Sequence, residues 1–188
     1  TSDWNECLAP TGPFDPVSFV YPELKTELRA IFRSCTSNEI PLSQAVGQIS
    51  LLLPHPFTVE QMDAYLDASF AIYGGVVDMI ELLRSNGILF MINTTGAQGF
   101  FQRTLFKKLI PEVDFVASNP FIRFPGADGD SRFSFLVLET SDKGINSAAV
   151  MQKFGLDPSR VIVIGDSGGD GRHFQWGASV GCYLIGSM

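Results

Sequence analysis

Hydrophobic positions change their spacing near residue 75. Before it, apolar residues recur at helical intervals. Leu24, Leu28, Ile31 and Phe32 mark a helix over residues 22–33, and Pro41, suited to a first helical turn, opens another over 41–53. Thr58-Val59-Glu60-Gln61 has the capping-box pattern, in which side chains satisfy free backbone N–H groups at a helix start. Met62, Tyr65, Leu66, Ser69 and Phe70 then follow along one side. Residues 12–74 therefore read as an all-helical block without strand signals.

From Gly75 onward short apolar runs alternate with helical patterns. Residues 76–84 form a helix stopped by Asn86-Gly87. Residues 88–92, all apolar, read as a buried strand, and Asn93-Thr94-Thr95-Gly96 as the turn into a helix reaching about Leu109. A short strand over 113–117 follows. Residues 121–124 and 133–138, on either side of a Gly/Asp loop, suggest a hairpin leading to Lys143. A helix over 143–154 stops at Gly155, the β-branched run 161–164 makes a strand, and 180–185 closes the series. Such alternation predicts an α/β fold, with a Rossmann-like parallel sheet flanked by helices.

Polar groups gather where these strands end. The run 161–164 stops at Gly165-Asp166-Ser167-Gly168-Gly169-Asp170, so Asp166 and Asp170 lie beyond a strand's carboxyl end, where open parallel sheets bind ligands. Hard carboxylate oxygens suit Mg²⁺, although Gly, Asp and Ser are also ordinary turn residues. Thr94 and Thr95 end another strand, ahead of a helix whose free N–H groups and dipole favour an anion. A plain helix cap is the alternative role. Lys143 opens a helix, where the dipole disfavours a cation unless an anionic partner is present; a solvated lysine is the alternative.

Composition narrows the partners. Hydrophobic residues make up 45% of 188 residues, enough for one good core with a modest insertion. With 13 basic and 20 acidic residues the net charge is -7 and no basic cluster carries interleaved aromatics, so neither nucleic acid nor an anionic membrane is an expected partner. Cys7, Cys35 and Cys182 fit neither a disulfide framework nor a zinc pattern. Reduced thiols, the lack of a signal-peptide pattern and the lack of an apolar stretch near the about 20 residues of a membrane span predict a cytoplasmic protein. Trp4, Trp176 and the sixteen phenylalanines are expected in the core.

Taken in order, Thr94, Lys143 and the acids Asp166 and Asp170 resemble the second, third and fourth motifs of the haloacid dehalogenase superfamily of phosphohydrolases. The first motif, Asp-x-Asp at a strand end, is similar to Asp3-Trp4-Asn5. Only Thr1 and Ser2 precede it, so further residues are expected upstream, or the resemblance ends there. It implies a core of residues 1–11 and 75–188 with a helical cap at 12–74. The stretch from Ser118-Asn119-Pro120 to Lys143-Gly144 is most similar to the branch that includes phosphoserine phosphatase.

The resemblance implies Asp3 as nucleophile and Mg²⁺ held by Asp3, Asp166, Asp170 and the Asn5 backbone carbonyl. Thr94, Thr95, Gly96 and Lys143 would bind the phosphate of a small metabolite. Asn5 is the departure, because the family usually has a second Asp there as acid and base. An engineered trap, a weak or altered enzyme and a non-catalytic phosphate binder all stay open. Glu6 should point away if the segment is extended, and His55 and His173 are alternative proton sources. A carbon–halogen hydrolase, which generally works without metal, is a further reading that the paired acids oppose.

Overall fold

Residues 1–126, 135–166 and 168–187 are described by the structure, a computed structural model. Four helices occupy the first block: α1 (Asp15–Val20), α2 (Lys25–Thr36), α3 (Leu42–Leu52) and α4 (Val59–Ser69). The capping box forms as expected. Thr58 Oγ1 accepts the Gln61 N–H at 3.3 Å, and Gln61 Oε1 accepts the Thr58 N–H at 2.9 Å.

The rest of the chain alternates: α5 (Val76–Ser85), β1 (Met91–Ala97), α6 (Gln98–Phe106), β2 (Phe115–Asn119), β3 (Phe135–Leu136), α7 (Asp142–Phe154), β4 (Ile162–Gly165), α8 (Gly171–Val180) and β5 (Tyr183–Gly186). β1, β2 and β3 form one parallel ladder and β4 and β5 another. Residues 1–3 join them. Ser2 bridges in parallel to both Ile92 and Ile164, with Ser2 N to Met91 O at 2.9 Å and Asp3 N to Ile164 O at 2.9 Å. The order is therefore β3-β2-β1, residues 1–3, β4-β5. Asp3 thus leaves the seam between the two ladders at their carboxyl edge.

Both faces of this sheet are covered, as a parallel sheet requires. Successive strand residues point to opposite sides. Ile92, Val116 and Ile164 join one cluster with Trp4, Phe100, Phe101, Val76 and Ile80, whereas Met91 and Ala117 join another with Val150 of α7. The larger cluster runs on into the first block through Phe14, Val17, Leu28, Ile49, Met62 and Tyr65, so helical block and sheet share one core. Trp4, fully buried, sits edge-on to Phe101 at 5.5 Å between centroids; truncating either ring typically costs about 3–5 kcal/mol. Two ion pairs add a polar seam, Arg103 to Asp63 at 2.8 Å and Lys107 to Asp67 at 2.7 Å, one helical turn apart between α6 and α4.

Four sequence expectations change. The strand expected at 88–92 begins at Met91 and continues through Asn93-Thr94-Thr95-Gly96, the segment expected to turn, because those polar side chains find buried partners. Register slips between Asn93 and Ala97, a bulge that re-aims the intervening residues. The hairpin does not form: 121–124 is not a strand, and Phe135–Leu136 pairs parallel to β2; Phe133 and Ser134 lie outside the described residues. Val180 ends helix α8, which the sequence reading did not foresee, rather than starting a strand.

Candidate active site

The carboxyl ends of three parallel strands converge with the first turn of α7. Residues 1–3 deliver Asp3, β4 delivers the Asp166 loop, β1 delivers Thr94 and Thr95, and α7 delivers Lys143. Asp3 is 6% exposed, and Lys143 and Asp170 are completely buried. Lys143 Nζ lies 2.7 Å from Asp170 Oδ1 and 3.2 Å from Asp3 Oδ1. One oxygen from each of Asp3, Asp166 and Asp170 falls within 4.8 Å of the others.

Asp170 is held at both ends. Its Oδ2 accepts the Asp166 N–H at 3.1 Å, which folds the acidic loop back onto the strand. A β carbon at residue 165 would fall 2.5 Å from Asp170 Cγ, so glycine is what lets the strand approach this carboxylate.

Burial pushes the Asp3 carboxyl above its ordinary range, the Lys143 ammonium pulls it back, and Asp170 pushes it up again. Asp166 is pushed up to about 7, first by burial and then by Asp3 and Asp170. Burial opposes the charge on Lys143, but the two carboxylates outweigh it and its pKa rises. Three carboxyl groups thus face one ammonium. Asp166 Oδ1 is buried with no hydrogen-bond partner among the described residues. A divalent cation fits this set, since an orphaned hard oxygen beside two more carboxylates is the donor chemistry such ions take, and its charge would keep all three ionised.

Asn5 is fixed at both ends of its carboxamide. Nδ2 donates to Thr11 O at 2.9 Å, and Oδ1 accepts from Thr94 Oγ1 at 3.3 Å. Thr94 Oγ1 in turn accepts the Gly96 N–H at 3.1 Å, so Thr94 is a strand residue that links Asn5 to the bulge and not the helix cap considered from sequence. Helix α6 starts at Gln98, and its N-cap Ala97 has no side-chain group that could bond the free N–H groups. Gly96 sits against Asn5, where a β carbon would fall 2.9 Å from Oδ1. Thr95 lines a small cavity of about 30 Å³ together with Asp3, Asn5, Lys143 and Asp166.

Glu6 does not turn away as an extended segment would require. Its backbone is left-handed, φ 58°, closing a tight loop in which Glu6 N donates to Ala9 O at 2.8 Å, and it lines the same cavity as Asp3 and Asn5. Neither histidine lines that cavity. His55 belongs to a separate surface depression beside Phe57 and Phe121. His173 is fully buried, stacked on Trp176, 2.9 Å from Ser147 Oγ, and its pKa is lowered to about 3, chiefly by burial and then by Lys143.

His173 belongs to a support that sequence reasoning missed. Asn93 Nδ2 donates to Lys143 O at 2.8 Å and to Ser147 Oγ at 3.1 Å, tying the first turns of α7 to β1 beneath the lysine. One signal pointed there: Lys143 and Ser147 are four residues apart and so share a helix face.

This strand order, a parallel sheet with helices on both faces, is the α/β fold also seen in solved haloacid dehalogenase family hydrolases. Solved structures agree. A substrate-bound phosphoserine phosphatase superposes with a TM-score of 0.74 at 17% identity over 98% of this chain and 82% of its own. A phospho-aspartyl intermediate analogue of phosphoserine phosphatase gives 0.73 at 15% identity, over 100% and 91%. A haloacid dehalogenase family hydrolase from Salmonella enterica serovar Typhi gives 0.67 at 12% identity, over 93% and 58%. Comparison of the sequence itself with protein-family models and with curated proteins gives no match. Among the described residues no helix is long and apolar enough to cross a membrane.

Proposed function

We propose that the protein is a Mg²⁺-dependent phosphatase acting on a small phosphorylated metabolite. The observation that carries this reading is the meeting of Asp3, Asp166 and Asp170 within 4.8 Å, with Lys143 Nζ 2.7 Å from Asp170 and 3.2 Å from Asp3. Asp3, Asp166, Asp170 and the Asn5 carbonyl would hold the ion. When bound, Mg²⁺ supplies positive charge that lets an anionic phosphate approach an anionic nucleophile.

Asp3 is the nucleophile, with an aspartyl-phosphate as the intermediate. Lys143 favours the ionised form of that carboxylate against its burial and faces the phosphoryl oxygens. Thr95, in the wall of the cavity over Asp3, and the Thr94 hydroxyl take the phosphate's other side, where fixed donors stabilise charge as it develops, while Gly96, its N–H given to Thr94 Oγ1, steadies Thr94. Residues 12–74 serve as the cap that excludes water and selects the leaving group. A cytoplasmic setting suits the free thiols of Cys7, Cys35 and Cys182.

Asn5 neither gives nor takes a proton, so turnover is slow by the about 10²- to 10⁴-fold that general acid–base catalysis contributes. A second reading, a phosphate-binding protein without turnover, draws on the Asn5 Nδ2 bond to Thr11 O, which an ionised Asp could not make. Asn5→Asp separates the two. Restored Mg²⁺-dependent phosphate release, abolished by Asp3→Ala, supports the hydrolase. Phosphate binding without release in Asn5→Asp supports the binder, and no Mg²⁺-dependent binding or release in either form defeats both.

A further inference from the structure

A second, larger cavity lies beyond the small one. It has a volume of about 540 Å³ and shares Glu6, Pro13, Phe14 and Phe32 with the pocket over Asp3, so the two spaces meet at those four residues. Lys25 and Arg29 of α2 line it, with Leu28 between them. They stand four residues apart, one turn of a helix, and so project from the same side. Both are exposed, and neither makes an ion pair among the described residues.

Two free cations on one wall run against the character of a chain with net charge -7. A 3-10 turn, Pro22–Leu24, runs directly into α2, with the Lys25 N–H donating to Pro22 O, and so fixes the backbone that carries Lys25. The acids of the same cavity are placed differently. Glu6 lies at the shared boundary, and Asp15 Oδ2 is occupied by the Gly12 N–H at 2.8 Å. Phe14, Phe19 and Tyr65 give its walls apolar surface, and Thr11, Ser18 and Ser69 polar surface.

We infer that the leaving group carries a second anionic group, carboxylate or phosphate, which Lys25 and Arg29 receive at the far wall of this cavity while the first phosphate lies over Asp3. This rests on the phosphatase reading and narrows its substrate class. A cavity of about 540 Å³ falls in the range that holds drug-sized ligands, so the favoured leaving group is longer than a three-carbon unit. Arginine takes carboxylate or phosphate through paired N–H groups, and lysine adds a point charge.

The test uses ω-carboxyalkyl and ω-phosphoalkyl phosphates of graded length, each against the ω-hydroxyalkyl phosphate of equal length. Binding is measured with Mg²⁺ so that slow turnover does not matter, and inorganic phosphate is the reference. Expected is a preference for the anionic member of roughly tenfold or more at one chain length, the scale of a hydrogen bond between charged groups. In Lys25→Gln/Arg29→Gln that ratio falls toward one. The carboxylate and phosphate arms show which anion is taken. Equal binding of charged and neutral esters, or an unchanged ratio in the double variant, overturns the inference alone. Failure of inorganic phosphate to bind in an Asp3-dependent way overturns the phosphatase reading and this inference with it.

Discussion

Replacing Lys143 with Met keeps the side chain's length and removes its charge. The ammonium lies 2.7 Å from Asp170 and 3.2 Å from Asp3 and is buried, and deleting one partner of a buried pair costs about 3–5 kcal/mol. An independent limit comes from protonation. The stranded carboxylates can relieve their repulsion by taking up one proton, which at pH 7 costs an Asp of unfolded pKa 3.9 about 4 kcal/mol and at pH 5 about 1.5 kcal/mol. A carboxyl whose folded pKa is raised weakens the fold at high pH and recovers as pH falls toward that pKa. The penalty in Lys143→Met should therefore be near 4 kcal/mol at pH 7 and shrink toward about 1.5 kcal/mol at pH 5. Urea unfolding in chelator, followed by tryptophan fluorescence, measures it. A penalty below about 1 kcal/mol at pH 7, or one that does not change between the two pH values, would refute the buried-charge account.

Further outcomes follow from single residues. His173, lowered to about 3 in the fold, binds a proton below about pH 6.5 only when unfolded, so wild-type stability should fall by about 2 kcal/mol more than that of His173→Gln between pH 7 and 5; parallel losses in urea titrations would contradict this. Glu6→Gly relieves a left-handed backbone and should raise stability by about 1 kcal/mol, with a drop in thermal midpoint as the contrary result. Gly165→Ala drives a β carbon to 2.5 Å from Asp170 Cγ and should weaken Mg²⁺ binding, read by calorimetry, along with stability. Unaltered Mg²⁺ affinity would mean that this approach does not shape the acidic loop.

Elements marked by local chemistry were legible in the sequence. Thr58 and Gln61 announce the start of α4, Gly155 in a left-handed conformation ends α7 where it should, and the β-branched run before Gly165 is a strand. What failed depended on distant partners. Asn93 and Thr94 look like turn residues until Lys143, Ser147 and Asn5 are seen to satisfy them inside the sheet. β3 pairs parallel to β2, whereas two flanking phenylalanine-rich segments imitate a hairpin in the sequence. α8 begins at the glycine after Asp170, so the acidic loop's turn signals hid it. The site residues were nameable singly from motif order. Their arrangement, with Lys143 closest to Asp170 and Glu6 at the cavity's edge, came only from the folded backbone.

The position of residues 1–3 has a wider consequence. They are the seam along which the two ladders of the sheet are stitched, and the same three residues present Asp3. If the seam parts, Asp3 is carried away from Asp166 and Asp170 in one motion. A form in which this seam has opened would lose the grouping of carboxylates, and ligand capture at the strand ends would serve as a direct gauge of whether the two ladders are still joined.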